Sequence, residues 1–264
     1  MHAVDWLRVQ LFNLWFFGFA FCSAVAAYVC ARTGSPRGVR ALVAWWTRRV
    51  RGAVRLLLGG SIEVLGWENI PRDGPVMLVS KHQSELDAIL FFSLFPHMGA
   101  VVMQELERYP FVGPILKALD MIAVAVDNGP QGRTALVIQG VQRLMQQGRP
   151  ILIYPEGTLM SLGARERYRS GVFRIYDTTG ATVVPVALSL GVIWPRREWR
   201  KHLGQTGAMA FLPPLEAGLE EATFMETLET RIEAETMTLI RRHASGPRLA
   251  AAEDRHARRA GNED

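Results

Sequence analysis

Apolar and polar residues alternate in two different ways along this chain. Near its start, the seventeen positions 14–30 carry no charge. A run of that length lies at the short end of what a membrane-spanning helix needs. A cleaved secretory leader would want a basic start and a small-residue cut site. Only Arg8 precedes the run, and aromatic residues continue through it, which favours a retained helix. Thr33-Gly34-Ser35-Pro36 then reads as a turn. Positions 38–58 mix leucine, valine and alanine with Trp45, Trp46 and arginines. That mixture predicts a basic amphipathic helix lying at a membrane interface, with tryptophan at headgroup depth and arginine reaching phosphates.

From Ser61 onward the pattern changes to short apolar runs separated by helix-length segments. The runs are 62–65, 75–79, 100–103, 121–126, 151–154 and 182–189, with a further one at 207–212. The segments between them, 85–95, 111–119, 131–147 and 170–179, have helical length. This alternation predicts an α/β fold whose central sheet is mainly parallel and flanked by helices, preceded by an N-terminal two-helix membrane hairpin. A last helix is expected over 219–243. The expected organisation is a membrane-associated hairpin over 1–58, an α/β domain over 59–245 and a charged disordered tail over 246–264.

Charge sharpens this picture. The net charge is +5, and seven arginines (Arg32, Arg37, Arg40, Arg48, Arg49, Arg51 and Arg55) fall in the hairpin region with no acidic residue among them. Lipid headgroups account for them, so a nucleic-acid partner is not expected. The same arginines predict the cytoplasmic face of the inner membrane. Cys22 and Cys30 sit two turns apart in one apolar run, too far along a helix for a disulfide. No cysteine–histidine spacing reads as a metal site.

Two strand ends carry candidate chemistry. Ser80-Lys81-His82-Gln83-Ser84-Glu85-Leu86-Asp87 follows the run 75–79, and among the six histidines only His82 has an aspartate five residues later. An imidazole past the carboxyl end of a strand, oriented by a carboxylate, can take a proton from an alcohol. Tyr154-Pro155-Glu156-Gly157-Thr158 follows the run 151–154, where Gly157 permits a tight turn whose N–H groups can meet an anion. Glu156 would bind an acceptor or order that loop. Glu105-Leu106-Glu107-Arg108-Tyr109-Pro110 leads into an apolar helix, and Val183-Val184-Pro185-Val186 carries a proline that marks a strand start, an edge or a site wall.

In this order and spacing the four blocks resemble the glycerolipid acyltransferase family typified by 1-acyl-sn-glycerol-3-phosphate acyltransferase, over roughly residues 60–215. SKHQSELD is similar to the family's histidine–aspartate block, YPEGT to its second hallmark, MQELERYPFVG to its K-x-E-L block and VVPV to its last. The resemblance implies that His82 is the general base and Asp87 its orienting partner. The acceptor hydroxyl would attack a thioester of acyl carrier protein or coenzyme A, with no metal and no bound cofactor. Substrate-binding roles would fall to Lys81, Glu105, Glu156, Gly157 and Thr158. The partners implied are a membrane lipid and the thioester carrier.

The chain departs from the family pattern where cations usually stand. Met103 replaces a lysine, Leu159 an arginine, and Asp127-Asn128 an Asp-Arg pair. These positions are associated with an acceptor phosphate. Arg165, Arg167 and Arg169, just after the second hallmark, are the candidate replacements. Two acceptors follow: 1-acyl-sn-glycerol-3-phosphate, giving phosphatidate, or a phosphate-free lyso-aminolipid such as a lyso-ornithine lipid. A lipase or thioesterase would need its own nucleophile in G-x-S-x-G, and the chain contains no such motif.

Overall fold

The computed structural model describes residues 3–125 and 129–260. Helices α1 (Ala3–Arg32) and α2 (Pro36–Leu57) form the hairpin. Ser35 caps α2 by accepting from the Gly38 N–H, and Pro36 occupies the first turn, where a missing N–H costs nothing. The strands are β1 (Ser61–Leu65), β2 (Val76–Ser80), β3 (Gly99–Met103), β4 (Ile122–Val124), β5 (Ile151–Ile153), β6 (Thr182–Leu188) and β7 (Thr206–Phe211). Between and after them run α3 (Glu85–Leu94), α4 (Val112–Ala118), α5 (Gly129–Gln146), α6 (Gly171–Thr179), α7 (Glu221–His243) and α8 (Gly246–Ala260).

The strands make one sheet in the order β1-β7-β6-β2-β5-β3-β4, parallel throughout except between β6 and β7. The near-continuous apolar runs of β2 and β6, buried along almost their whole length, suit a sheet covered on both faces. Pro185 lies in an interior strand. Leu212 N–H donates to Pro185 O, but proline returns no donor, so the β6–β7 ladder stops at Val186. The register matters most between β2 and β5, where Val79 pairs with Ile153. The loops after these neighbouring parallel strands therefore emerge side by side.

Two features differ from the expected organisation. The apolar face of α2 does not lie on a lipid surface. Val39, Val50, Ala53 and Val54 are buried in the same core as Leu86, Leu90 and Phe91, so the hairpin completes the core of the α/β domain. Arg37, Arg48, Arg49 and Arg55 are exposed on its outer side, with Arg49 over the Trp45 ring at 5.7 Å, while Arg40 and Arg51 are half-buried. The second difference is the tail. Residues 246–260 form helix α8, not a disordered segment. Ala252 of α8 is fully buried against Gly163, where a Cβ would come within 2.1 Å of the Ala252 carbonyl oxygen. Arg255 also donates to Leu162 O at 2.8 Å. Residues 261–264 lie outside the described part.

Candidate active site

The His82–Asp87 spacing is explained by the start of α3. Ser84 is the N-cap and Asp87 the third residue of the first turn, together forming a capping box. Asp87 Oδ2 accepts from the Gln83 N–H at 2.7 Å and the Ser84 N–H at 2.8 Å. The same oxygen lies 3.0 Å from His82 Nδ1. A carboxylate at this position also gains from the helix dipole. Asp87 is fully buried, while the His82 side chain keeps 20% of its surface exposed. Burial raises the Asp87 carboxyl above its usual value, and the His82 bond and the two backbone amides oppose that rise without cancelling it. With Nδ1 donating to the carboxylate, the neutral imidazole keeps its lone pair on Nε2.

The loop after β5 meets this pair at several points. The Tyr154 ring stacks on the His82 imidazole with centroids 3.8 Å apart and planes 12° from parallel. Met160 N–H donates to His82 O at 2.7 Å, and His82 N–H donates to Glu156 Oε2 at 3.3 Å. Two loops far apart in sequence thus form one unit.

Lys81 and Glu156 are placed differently from what an acceptor-binding role requires. Lys81 is fully buried, and its ammonium sits 2.5 Å from Glu156 Oε1 and 2.7 Å from Glu233 Oε1. Tyr168 O–H donates to the same Glu233 oxygen at 2.9 Å. The cluster is committed to itself and ties α7 to both motif loops, so Lys81 and Glu156 are structural groups and not surface ligands. Burial pushes Glu156 up to about 7, although Lys81 opposes the shift; Glu233, the second carboxylate on the same ammonium, adds to it. A raised carboxyl contributes stability that is complete below its unfolded value and is lost as pH rises through its folded value. Thermal stability should therefore fall between about pH 4.5 and pH 7. Melting curves of Glu156→Gln across that range should lack this component.

The other candidates divide. Gly157 adopts φ +68°, and a Cβ there would come within 2.5 Å of Arg169 Cζ. Its N–H is already used within the turn, donating to Tyr154 O at 3.0 Å, so Gly157 does not offer that group to an oxyanion. Its service is to let the Arg169 guanidinium lie directly on the loop. Thr158, Arg167 and Arg169 are exposed, and Arg165 is half-buried with Nε lacking a partner. Glu105 stands in a short 3-10 turn, Gln104–Arg108, and makes no hydrogen bond to the His82 unit among the described residues. Met103 is 53% exposed at the end of β3. Asp127-Asn128 lies outside the described residues. Sequence reasoning missed Tyr154 as a partner of His82, and it missed Glu233 and Tyr168 altogether. A serine–histidine contact exists elsewhere, between Ser189 Oγ and His243 Nδ1 at 3.0 Å. Ser189 is fully buried and already accepts from the Ala208 N–H, so it binds α7 to the sheet and cannot meet a substrate.

Residues 61–189 match the protein-family profile described as Acyltransferase. A 1-acyl-sn-glycerol-3-phosphate acyltransferase of Pseudomonas aeruginosa is 30% identical over 244 residues, covering 91% of this chain and 94% of that protein. This chain belongs to the glycerolipid acyltransferase family. It is therefore an acyltransferase, and the matched span contains the His82–Asp87 pair. A Saccharomyces cerevisiae protein of the same name is 26% identical over 188 residues, covering 70% of this chain and 60% of its own length. The crystal structure of the 1-acyl-sn-glycerophosphate acyltransferase of Thermotoga maritima shares the fold, with a TM-score of 0.71 at 19% identity, covering 89% of this chain and 97% of that one.

Proposed function

We propose that this acyltransferase moves a fatty acyl group from a thioester of acyl carrier protein or coenzyme A to the free hydroxyl of 1-acyl-sn-glycerol-3-phosphate, forming phosphatidate. His82 Nε2 takes the hydroxyl proton as the acceptor oxygen bonds to the thioester carbonyl carbon. Collapse of the tetrahedral intermediate breaks the carbon–sulfur bond, and the proton passes from His82 to the departing thiolate. Asp87 keeps the tautomer and offsets the imidazolium charge between these steps.

The observation that supports a phosphate-bearing acceptor is Arg169. Its guanidinium lies on Gly157, in the loop that carries Leu159, where the family pattern that this loop resembles would place an arginine. A cation is thus restored to that loop from ten residues further along the chain, and guanidinium matches phosphate in charge and geometry. Arg165 and Arg167 flank the same loop and would add to the field. A second reading, a phosphate-free lyso-aminolipid, draws support from Met103, which presents an apolar side chain where a lysine is usual. Arg169→Ala separates them. For lysophosphatidate, KM should rise about tenfold or more while kcat changes little, and acylation of a phosphate-free lysolipid should not respond. An unchanged KM for lysophosphatidate would remove Arg169 from the phosphate site.

We further propose that the enzyme works on a membrane surface. Val4, Leu7, Leu11, Leu14 and Val29 form an exposed apolar stripe along α1, while Phe21 beside them meets Phe111 edge-on. The opposite face is held to the protein along the helix. Val9, Phe12, Asn13 and Ala27 are buried there, and Asn13 donates to Trp199 O at 2.9 Å. A helix bound this way fits one that lies in a single leaflet better than one that crosses the bilayer. The outward arginines of α2 favour an anionic, cytoplasmic leaflet.

A further inference from the structure

We infer that Tyr154 is a positioning residue for the His82 base, acting through the face of its ring. The inference rests on the reading that His82 is the base. The two rings lie nearly parallel at 3.8 Å, so the imidazole is confined on one side by a flat surface. On its edge it is held by Asp87 at 3.0 Å. These two contacts together fix the ring plane and the direction of Nε2. The phenol hydroxyl has no hydrogen-bond partner among the described residues, and burial pushes its pKa well above the usual value. The hydroxyl is therefore neither a proton source nor an anchor here, and the ring is the working part.

The ring also has an electrostatic consequence. An aromatic face carries negative potential and attracts a cation placed over it. When His82 accepts the acceptor's proton it becomes such a cation, already in contact with the Tyr154 face. The arrangement favours the protonated form that appears during transfer without requiring any movement. Tyr154 itself is held in place from behind. Phe91 meets its ring edge-on at 6.5 Å, and the turn closes with Gly157 N–H donating to Tyr154 O. The residue so placed belongs to the same loop as Glu156, so the buried Lys81 cluster sets the height of the ring against the imidazole.

The test compares three replacements in the full-length enzyme, with initial rates of acyl transfer measured from pH 5 to pH 9. Tyr154→Phe keeps the ring and should retain activity within about twofold. Tyr154→Leu should lower kcat by roughly 3- to 30-fold, the span of a cation–aromatic contact. It should leave the KM for the lysolipid unchanged. It should also move the acid limb of the kcat/KM profile to lower pH, because an imidazolium that has lost a favourable neighbour gives up its proton more readily. Incorporating pentafluorophenylalanine at position 154 preserves shape and reverses the sign of the ring face, and should move the acid limb the same way even if the leucine variant folds poorly. An unmoved acid limb in both variants would reduce Tyr154 to a packing residue. A phenylalanine variant as damaged as the leucine one would assign the role to the hydroxyl instead. Retention of activity by His82→Ala would overturn the underlying reading, which keeps the two failures distinct.

Discussion

His82→Ala should lower the turnover number by about a thousandfold, within the range general-base catalysis commonly supplies. The fold should survive the change. His82 is partly exposed, whereas the elements around it are fixed by other contacts: β2 by pairing with β5 and β6, and α3 by its own capping box. Melting temperature and membrane association should therefore stay near those of the wild type while transfer is lost. Asp87→Asn is a less clean probe. Oδ2 accepts from two backbone amides as well as from His82, so the amide both misorients the imidazole and weakens the start of α3. Its turnover should also collapse, but with a measurable loss of stability. The contrast between the two variants separates the catalytic duty of the pair from the capping duty that only Asp87 carries.

Lys81→Met should destabilise the protein by about 3–5 kcal/mol, the usual result of removing one partner from a buried ion pair. For a chain of this size that corresponds to a fall of roughly 10 °C in melting temperature. Glu156 and Glu233 would be left facing each other in the interior with no cation between them. The strain should ease at acid pH, where one carboxyl can take a proton, so the deficit should be smaller at pH 5 than at pH 8. Adding Glu233→Gln to Lys81→Met should recover part of the loss, since it removes one of the two stranded charges. Equal melting temperatures for wild type and Lys81→Met at pH 8 would show that the ammonium does not hold the cluster together. Activity should fall with stability, because Glu156 accepts from the His82 N–H and Lys81 directly precedes the base.

Much of this arrangement was legible from local pattern. The strands announce themselves as short apolar runs, and all seven appear in the sheet near the expected positions. His82 and Asp87 were readable because their contact spans one helix start, a distance at which sequence spacing translates directly into geometry. The Lys81–Glu233 contact spans 152 positions and depends on how α7 packs against the sheet, which no local pattern encodes. Lys81 beside a histidine looks like a surface cation, and only the fold turns it inward. The tail was misread for a different reason. Its charge suggested disorder, yet Ala250, Ala251 and Ala252 favour helix, and Pro247 suits a first turn. Likewise the arginines of α2 drew attention to its polar side, while its valines were the better guide to where the helix packs.

The relation between Gly157 and Arg169 shows a further limit of spacing arguments. Leu159 in place of an arginine suggested a lost cation, but Arg169 returns one through a turn that brings its guanidinium onto a glycine at φ +68°. The same loop leaves Glu156 buried against Lys81.

Phosphatidate formed per thioester consumed, measured with purified wild-type enzyme and with His82→Ala in lipid vesicles containing lysophosphatidate, is the most direct test. Expected are one phosphatidate for each thioester, no consumption without the acceptor, and an approximately thousandfold slower rate for the variant. Thioester lost as free fatty acid without an acceptor, or phosphatidate made equally fast by His82→Ala, would contradict acyl transfer through this histidine.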